Sequence, residues 1–153
     1  PVIRMAEMYL NLAEILIELD ALENTTGRLE EAKGLIDKIR VRAGIPTIDE
    51  AWKKANHPEK ANTAEGLREI VRRERQIEFY LENQRFWDLR RWKDAGILGE
   101  KVWGMNIEGD TDETFFVPTE LQNIRTFKQA QYLMPIPMTE TNKVPHIVQN
   151  PGY

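Results

Sequence analysis

The sequence predicts a mainly α-helical fold, with one αα-hairpin, a charged helical pair, a small β-hairpin and an extended C-terminal tail. Apolar side chains recur at helical three-and-four spacing between residues 2 and 43, and again on a strongly charged segment that begins near residue 63. Strand-like segments are confined to a short region after Gly96. Because the chain has 153 residues, a single domain over residues 1–153 is expected.

The αα-hairpin is predicted from Val2 to Ala43. In its first helix, seven apolar residues at helical spacing are expected to face the core: Met5, Met8, Tyr9, Leu12, Ile15, Leu16 and Leu19. Ala6 and Ala13 would let a neighbouring helix approach closely. The second helix is expected to end at Gly44, and its core residues are Leu29, Ala32, Leu35, Ile36 and Ile39. Two helices joined by a short loop make a tetratricopeptide-like unit.

A third helix, rich in charge, is predicted to begin with Thr63 as its N-cap. Five apolar residues are expected along one side of it: Leu67, Ile70, Val71, Ile77 and Leu81. Glu74 and Glu78 fall on the same stripe, where a carboxylate is costly unless a cation pairs with it. Four arginines nearby in the sequence are the expected partners: Arg75, Arg85, Arg90 and Arg91.

The same charged segment is expected to turn back on itself. Asn83 can adopt the left-handed conformation, which would end the helix after Glu82. A shorter helix then carries Trp87 and Trp92 as expected core residues. The interpretation that we favour for residues 72–92 is therefore a buried salt-bridge framework.

Two functional hypotheses compete with this framework. Glu74 and Glu78, one helical turn apart, resemble the carboxylate pair of a glycosidase, but neighbouring arginines lower carboxylate pKa values and make poor general acids of them. Arginines interleaved with aromatic side chains are typical of surfaces that stack on nucleic-acid bases. The net charge of −4 and the acids within the stretch disfavour that partner, so no nucleic acid is predicted to bind.

After Gly96, the segments KVWGMNI (101–107) and TFFVP (114–118) are predicted to be the strands of a hairpin. Asp110, Asp112 and Glu113 lie between them and resemble part of a calcium loop. A solvated turn is expected there, because the rest of the calcium motif is missing.

The tail, residues 132–153, contains four prolines, which argue against a regular helix. It is expected to run extended over the surface, with four anchoring side chains: Leu133, Ile136, Ile147 and Tyr153.

The sequence predicts no metal, no cofactor and no catalytic residue. The chain has no cysteine, and His57 and His146 have no partner at metal-ligand spacing. A Ser-His-Asp elbow, a phosphate loop and a dinucleotide fingerprint are all missing from the sequence.

Four groups of residues, in the same order, resemble motifs of the RagB/SusD family of nutrient-binding outer-membrane lipoproteins. The first two are Arg4-Met5-Ala6-Glu7 with Tyr9-Leu10 and Ala13-Glu14, and Ile39-Arg40 with Arg42-Ala43-Gly44. The third is Glu74-Arg75, Glu78, Glu82, Arg85 and Asp88-Leu89-Arg90-Arg91-Trp92. The fourth is Pro135-Ile136-Pro137 with Gln149-Asn150-Pro151-Gly152-Tyr153. Asn83 stands where the family usually has glycine, and both residues tolerate a left-handed turn.

The resemblance implies a non-enzymatic protein on the outward face of the outer membrane. Such proteins capture oligosaccharides, or in some members peptides, and pass them to a TonB-dependent transporter of the SusC type. The family's lipidation cysteine and most of its tetratricopeptide-like helices have no counterpart here. We therefore expect this chain to be the C-terminal portion of a longer protein, whose membrane contact is a lipid anchor absent from this chain.

Sugar capture needs flat aromatic faces and polar groups for hydroxyls. Trp52, in a polar connection, and Trp103, in a short predicted strand, are the candidate ligand-binding residues. The αα-hairpin alone leaves a different hypothesis open, that of a peptide-binding helical-repeat adaptor.

Overall fold

A computed structural model describes residues 3–121, 125–144 and 146–153. The fold is mainly helical, as predicted, with α1 (Met5–Glu23), α2 (Leu29–Arg42), α3 (Ile48–Trp52), α4 (Ala64–Glu78), α5 (Gln84–Arg91), β1 (Val102–Met105), α6 (Asp112–Phe115), β2 (Pro118–Leu121) and α7 (Met138–Lys143). Val2, the predicted start of the αα-hairpin, lies outside the described residues. Among the described helices, none combines the length and the apolar character needed to cross a membrane.

The chain divides into two compact units, one up to residue 85 and one from residue 86 onward. The first unit holds α1 to α4 and a core built from all four of these helices. The second unit holds the two-stranded sheet and the tail. The expectation of a single domain over residues 1–153 stays a prediction.

The predicted αα-hairpin is confirmed: α1 and α2 pack against each other. The turn between them depends on Asp20, a fully buried residue at the end of α1. Its carboxylate accepts hydrogen bonds from the Thr25 hydroxyl at 2.7 Å, the Arg28 backbone N–H at 2.7 Å and the Arg28 guanidinium at 2.9 Å. Asn24 adopts the left-handed conformation that ends α1, with φ of 52°. The Asp20 carboxylate therefore accepts the hydrogen bonds that these donors would otherwise make to water.

The prediction of which face of α1 packs in the core is wrong. The side that packs inward carries Ala6, Leu10, Ala13 and Ile17. Five of the seven predicted core residues are exposed: Met5, Met8, Leu12, Ile15 and Leu19. Only Tyr9 and Leu16 are partly buried against the core. Both sides of α1 are apolar, and the alanine side is the one that lets α2 and α4 approach.

The helix ends of the first unit follow the predicted local signals. Gly44 has φ of 73°, and the N–H of Ile45 donates to the Arg40 carbonyl at 3.0 Å, which is the Schellman arrangement. Thr63 caps α4 by accepting the Gly66 N–H at 3.1 Å. Both signals are predictable because they depend on residues within a few positions of one another.

The C-terminal half of α4 differs from the prediction. Leu67, Ile70 and Val71 are buried as expected, but Ile77 and Leu81 are 61% and 88% exposed. The helix ends at Glu78, four residues before the predicted end, with Phe79 buried just beyond it. Asn83 is left-handed, as predicted, and so is Leu81.

In the second unit, the β-hairpin is confirmed but its second strand is shifted. β1 pairs antiparallel with β2, from Val102 opposite Leu121 to Met105 opposite Pro118. Thr114 and Phe115, the first two residues of the predicted second strand, belong to α6 instead, because Thr111 and Thr114 make a capping box that opens a helical turn. The expectation that Trp87 is a core residue is wrong, since it is 52% exposed, while Trp92 is half-buried.

The tail is held mainly by side-chain amides rather than by apolar anchors. The Gln149 amide accepts the Ile136 N–H and donates to the Ile136 carbonyl, both at 2.8 Å, as a neighbouring strand would. Asn150 donates to the Met134 carbonyl, and the Tyr153 hydroxyl donates to the Leu133 carbonyl. The expectation of no regular helix is wrong for Met138–Lys143, because Pro137 lies at the N-cap, where the missing N–H costs nothing.

The four expected anchors are only partly covered: Ile136 is half-buried, and Leu133, Ile147 and Tyr153 are exposed.

Candidate functional site

The two glutamates that the sequence singles out lie in an arginine–glutamate framework, which consists of Arg4, Arg40, Arg42, Glu74, Glu78 and Glu82. The Arg40 guanidinium, on α2, donates to the Glu74 carboxylate, on α4, at 2.9 Å. Both side chains are shielded, with 14% and 8% of their surface exposed. The prediction that Glu74 is buried and paired with an arginine is confirmed.

Glu78 is held by two arginines at once. One of its carboxylate oxygens accepts hydrogen bonds from Arg4 and from Arg42. Arg4 also donates to the backbone carbonyl of Glu78 at 2.7 Å and makes a bidentate contact with Glu82, at 2.7 and 3.0 Å. Arg4 thereby satisfies a carbonyl that α4 leaves unpaired at its C-terminal end.

The positions of these arginines differ from the prediction. Arg4, Arg40 and Arg42 lie between 34 and 78 residues away from their glutamates. Of the predicted partners, Arg75 donates to Asn11 at 2.6 Å, Arg91 to Asp88 at 3.0 Å and Arg90 to the Tyr132 carbonyl. Nearness in the sequence is thus a poor guide to the partner of a helix residue that faces another helix.

The chemistry of the framework favours the ionised form of Glu78. Burial raises the pKa of Glu78, but the hydrogen bonds from Arg4 and Arg42 outweigh burial and hold that pKa below its ordinary value. The buried Phe79 ring adds a further contact, with the guanidinium carbons of Arg4 and Arg75 at 4.9 and 5.3 Å from its centre. A general acid needs a raised pKa, so this arrangement suits a structural role.

The two candidate tryptophans have different surroundings. Trp103, on β1, is 60% exposed, and Met105, on the same side of the strand, is 50% exposed. Trp52, at the end of α3, is half-buried and packs against the core of the first unit. Trp103 therefore presents a flat apolar face to solvent, while Trp52 presents less of its ring.

A polar cavity near Trp52 was not predicted from the sequence. It encloses about 420 Å³ and lies between the start of α2, α3 and a 3-10 turn, Pro58–Asn62. Lys33, a buried lysine on α2, faces it. In the sequence, the one indication of this cavity is that Lys33 falls on the apolar side of α2, next to Ala32. That indication can be recognised only when it is known which face of α2 is buried.

Neither histidine is part of a ligand cluster in the described residues. His57 is exposed and lies 3.2 Å from Glu59. Within the part of the chain that the structure describes, no group of three or more His, Cys, Asp or Glu side chains is arranged to hold a metal ion. Asp110 lies in a turn, and Asp112 and Glu113 form the first turn of α6.

The family is decided by the comparison with known proteins. The SusD family model matches residues 1–153. The chain belongs to the SusD family. This confirms the resemblance seen in the four sequence motifs.

Solved structures that match the chain share this fold. A SusD-like protein (BF3747) from Bacteroides fragilis NCTC 9343 is 36% identical with a TM-score of 0.73, over 99% of this chain and 25% of its own. BT4246 is 34% identical with a TM-score of 0.76, over 99% and 23%. Its selenomethionine form is 33% identical with a TM-score of 0.78, over 99% and 24%. No curated protein matches the chain. This SusD-family chain spans about a quarter of the length of the solved relatives it matches.

Proposed function

We propose that this SusD-family protein binds nutrient oligosaccharides at the cell surface without hydrolysing them, and delivers them to a TonB-dependent transporter of the SusC type. Membership of the SusD family is the observation that carries the proposal. The proposed location is the outward face of the outer membrane.

The framework geometry supports a role without catalysis. Glu74 and Glu78 are the carboxylates that a glycosidase hypothesis would use, and arginines engage both of them. The lowered pKa of Glu78 disfavours proton donation at neutral pH. Removal of the Arg40–Glu74 or the Arg42–Glu78 contact would also disturb the packing of α2 against α4, so we assign these residues to the scaffold.

Trp103 and Trp52 remain the proposed aromatic contacts for sugar. The exposed ring of Trp103 suits stacking on the apolar side of a pyranose, and the neighbouring Met105 widens the apolar surface. Loss of Trp103 is expected to weaken oligosaccharide affinity about tenfold or more, as the loss of a stacking ring does at other sites. Trp103→Phe keeps an aromatic face and is expected to retain most of the affinity.

Affinity electrophoresis of the intact protein tests the proposal. Gels that contain soluble neutral polysaccharides, such as starch, xylan and galactomannan, should retard the protein in at least one case. Short peptides, measured by fluorescence polarisation, provide the competing arm. Binding of peptides alone would favour the helical-repeat adaptor over a glycan-binding protein.

A glycosidase would give a third result. In that case the polysaccharide would be shortened by the parent protein, and Glu74→Gln or Glu78→Gln would abolish the shortening while the protein still folds. Folding of each variant is checked by thermal unfolding, because both residues lie in the framework.

A further inference from the structure

The cavity beside α3 combines a buried cation with polar groups at its opening. Lys33 is only 4% exposed. Its ammonium lies 3.1 Å from a carboxylate oxygen of Asp49 and also contacts Glu30. Both carboxylates are open to solvent, with 64% and 78% of their side chains exposed. A ligand in the cavity would meet the ammonium and both carboxylates.

One of the three contacts that the Lys33 ammonium makes as a donor is long. An ammonium has three protons, and its third described contact, with the Asn62 side-chain oxygen, is 3.5 Å long. That distance exceeds an ordinary N–H···O hydrogen bond by about half an ångström. A hydroxyl oxygen placed in the cavity would give the buried ammonium a closer acceptor.

The charges of the cavity select the class of ligand. Two carboxylates, Glu30 and Asp49, are balanced by two ammonium groups, Lys33 and Lys53. An anion would meet the carboxylates, and a metal cation would meet an ammonium that already lies between them. A neutral ligand with several hydroxyls suits all four groups, because each hydroxyl both donates to a carboxylate and accepts from an ammonium.

The rest of the lining and the size agree with a sugar ring. Pro58 is exposed and adds an apolar ring to the lining, on which the C–H face of a pyranose can pack. The volume of about 420 Å³ lies in the range of small-molecule sites.

We propose that this cavity is a binding subsite for one neutral sugar unit, with Lys33, Asp49, Lys53 and Asn62 as its hydroxyl-binding groups. The proposal rests on the proposed oligosaccharide-binding function and assigns part of that binding to a defined place.

Isothermal titration calorimetry of the intact protein provides the test, with maltoheptaose, xylohexaose and mannohexaose as neutral probes and an oligogalacturonate as an anionic probe. The subsite variants are Asp49→Asn and Lys53→Ala. The matched controls are Glu31→Gln, one residue from Glu30, and Lys54→Ala, one residue from Lys53, neither of which lines the cavity. All four changed side chains are exposed, so folding should be preserved, and thermal unfolding verifies it.

Each subsite variant should weaken binding of the preferred neutral probe about tenfold or more, as expected for the loss of a charged hydrogen-bonding group. The controls should bind like the parent. Unchanged affinity in both subsite variants, or a parent that binds only the anionic probe, would overturn the subsite and leave glycan binding intact. A parent that binds none of the probes would count against the proposed function and the subsite together. Should Asp49→Asn unfold, Lys53→Ala decides alone.

Discussion

Arg40 of α2 and Glu74 of α4 form a buried ion pair, with 2.9 Å between the guanidinium and the carboxylate, that joins two helices of the first unit. Glu74→Lys places two cations together where solvent is excluded. We expect it to lower the free energy of unfolding by at least about 3–5 kcal/mol, the usual cost of breaking a buried pair. Chemical denaturation measures the difference.

Glu69→Lys is the matched control for that experiment. Glu69 lies on the same helix and pairs with Lys60, but its side chain is 65% exposed. Glu69→Lys should lower the free energy of unfolding by less than about 1 kcal/mol, because water screens exposed ion pairs. If both reversals cost the same, the Arg40–Glu74 pair is a surface interaction and the framework assignment is wrong.

The pH dependence of stability should reveal Asp20. Burial raises its pKa, but hydrogen bonds from Thr25 and Arg28 outweigh burial and bring the pKa below the ordinary value of 3.8. A carboxyl whose pKa is lower in the folded state stabilises the protein above its unfolded pKa and loses that contribution as the pH falls further. The free energy of unfolding should therefore decrease as the pH falls through 3.8 and below.

Asp20→Asn serves as the comparison in that titration. It should be less stable than the parent at neutral pH and should lose less stability on acidification, since the titrating group is gone. Parallel curves for the parent and the variant, from urea denaturation at a series of pH values, would contradict the assigned role of Asp20.

Two helical glycines should respond to alanine with opposite signs. A Cβ at Gly66 would lie 2.2 Å from the backbone carbonyl oxygen of Lys60, so Gly66→Ala should destabilise the protein by about 1–3 kcal/mol. A Cβ at Gly34 of α2 meets nothing within 4 Å, so Gly34→Ala should stabilise by about 1 kcal/mol. Thermal unfolding separates the two, and a gain at Gly66 would show that the turn before α4 lies elsewhere.

The tail should depend on one amide side chain. Gln149→Ala removes both hydrogen bonds to Ile136, at a local cost of about 2 kcal/mol. Hydrogen exchange at the Ile136 amide should become about thirtyfold faster, in line with that energy. Thr139→Ala, on exposed α7, should leave the exchange rate unchanged. Equal rates in Gln149→Ala and the parent would mean that other contacts hold the tail.

Features that depend on adjacent residues were predictable from the sequence. The αα-hairpin, the Thr63 N-cap and the left-handed Gly44 each follow from residues within one or two helical turns. The capping box of Thr111 and Thr114 is equally local. The prediction nevertheless placed a strand there, because the aromatic run TFFVP favours a strand over a helical turn.

Features that depend on distant residues were not predictable. The spacing of Met5, Met8 and Leu12 is as helical as that of Ala6, Leu10 and Ala13, so periodicity alone could not choose the inward face of α1. The prediction chose the face with the larger side chains, and that face is exposed. The cavity at Lys33 forms where α2, α3 and the turn Pro58–Asn62 come together, and no local pattern in the sequence indicates that these segments are neighbours.

The central claim, that the protein binds oligosaccharides and leaves them intact, is tested most directly by one titration. The intact protein is saturated with the neutral oligosaccharide that it prefers, the dissociation constant is recorded, and the recovered sugar is analysed by mass spectrometry after prolonged incubation. We predict saturable binding, with the sugar recovered at its original length. Shortened products, or no saturation with any neutral oligosaccharide, would contradict the claim.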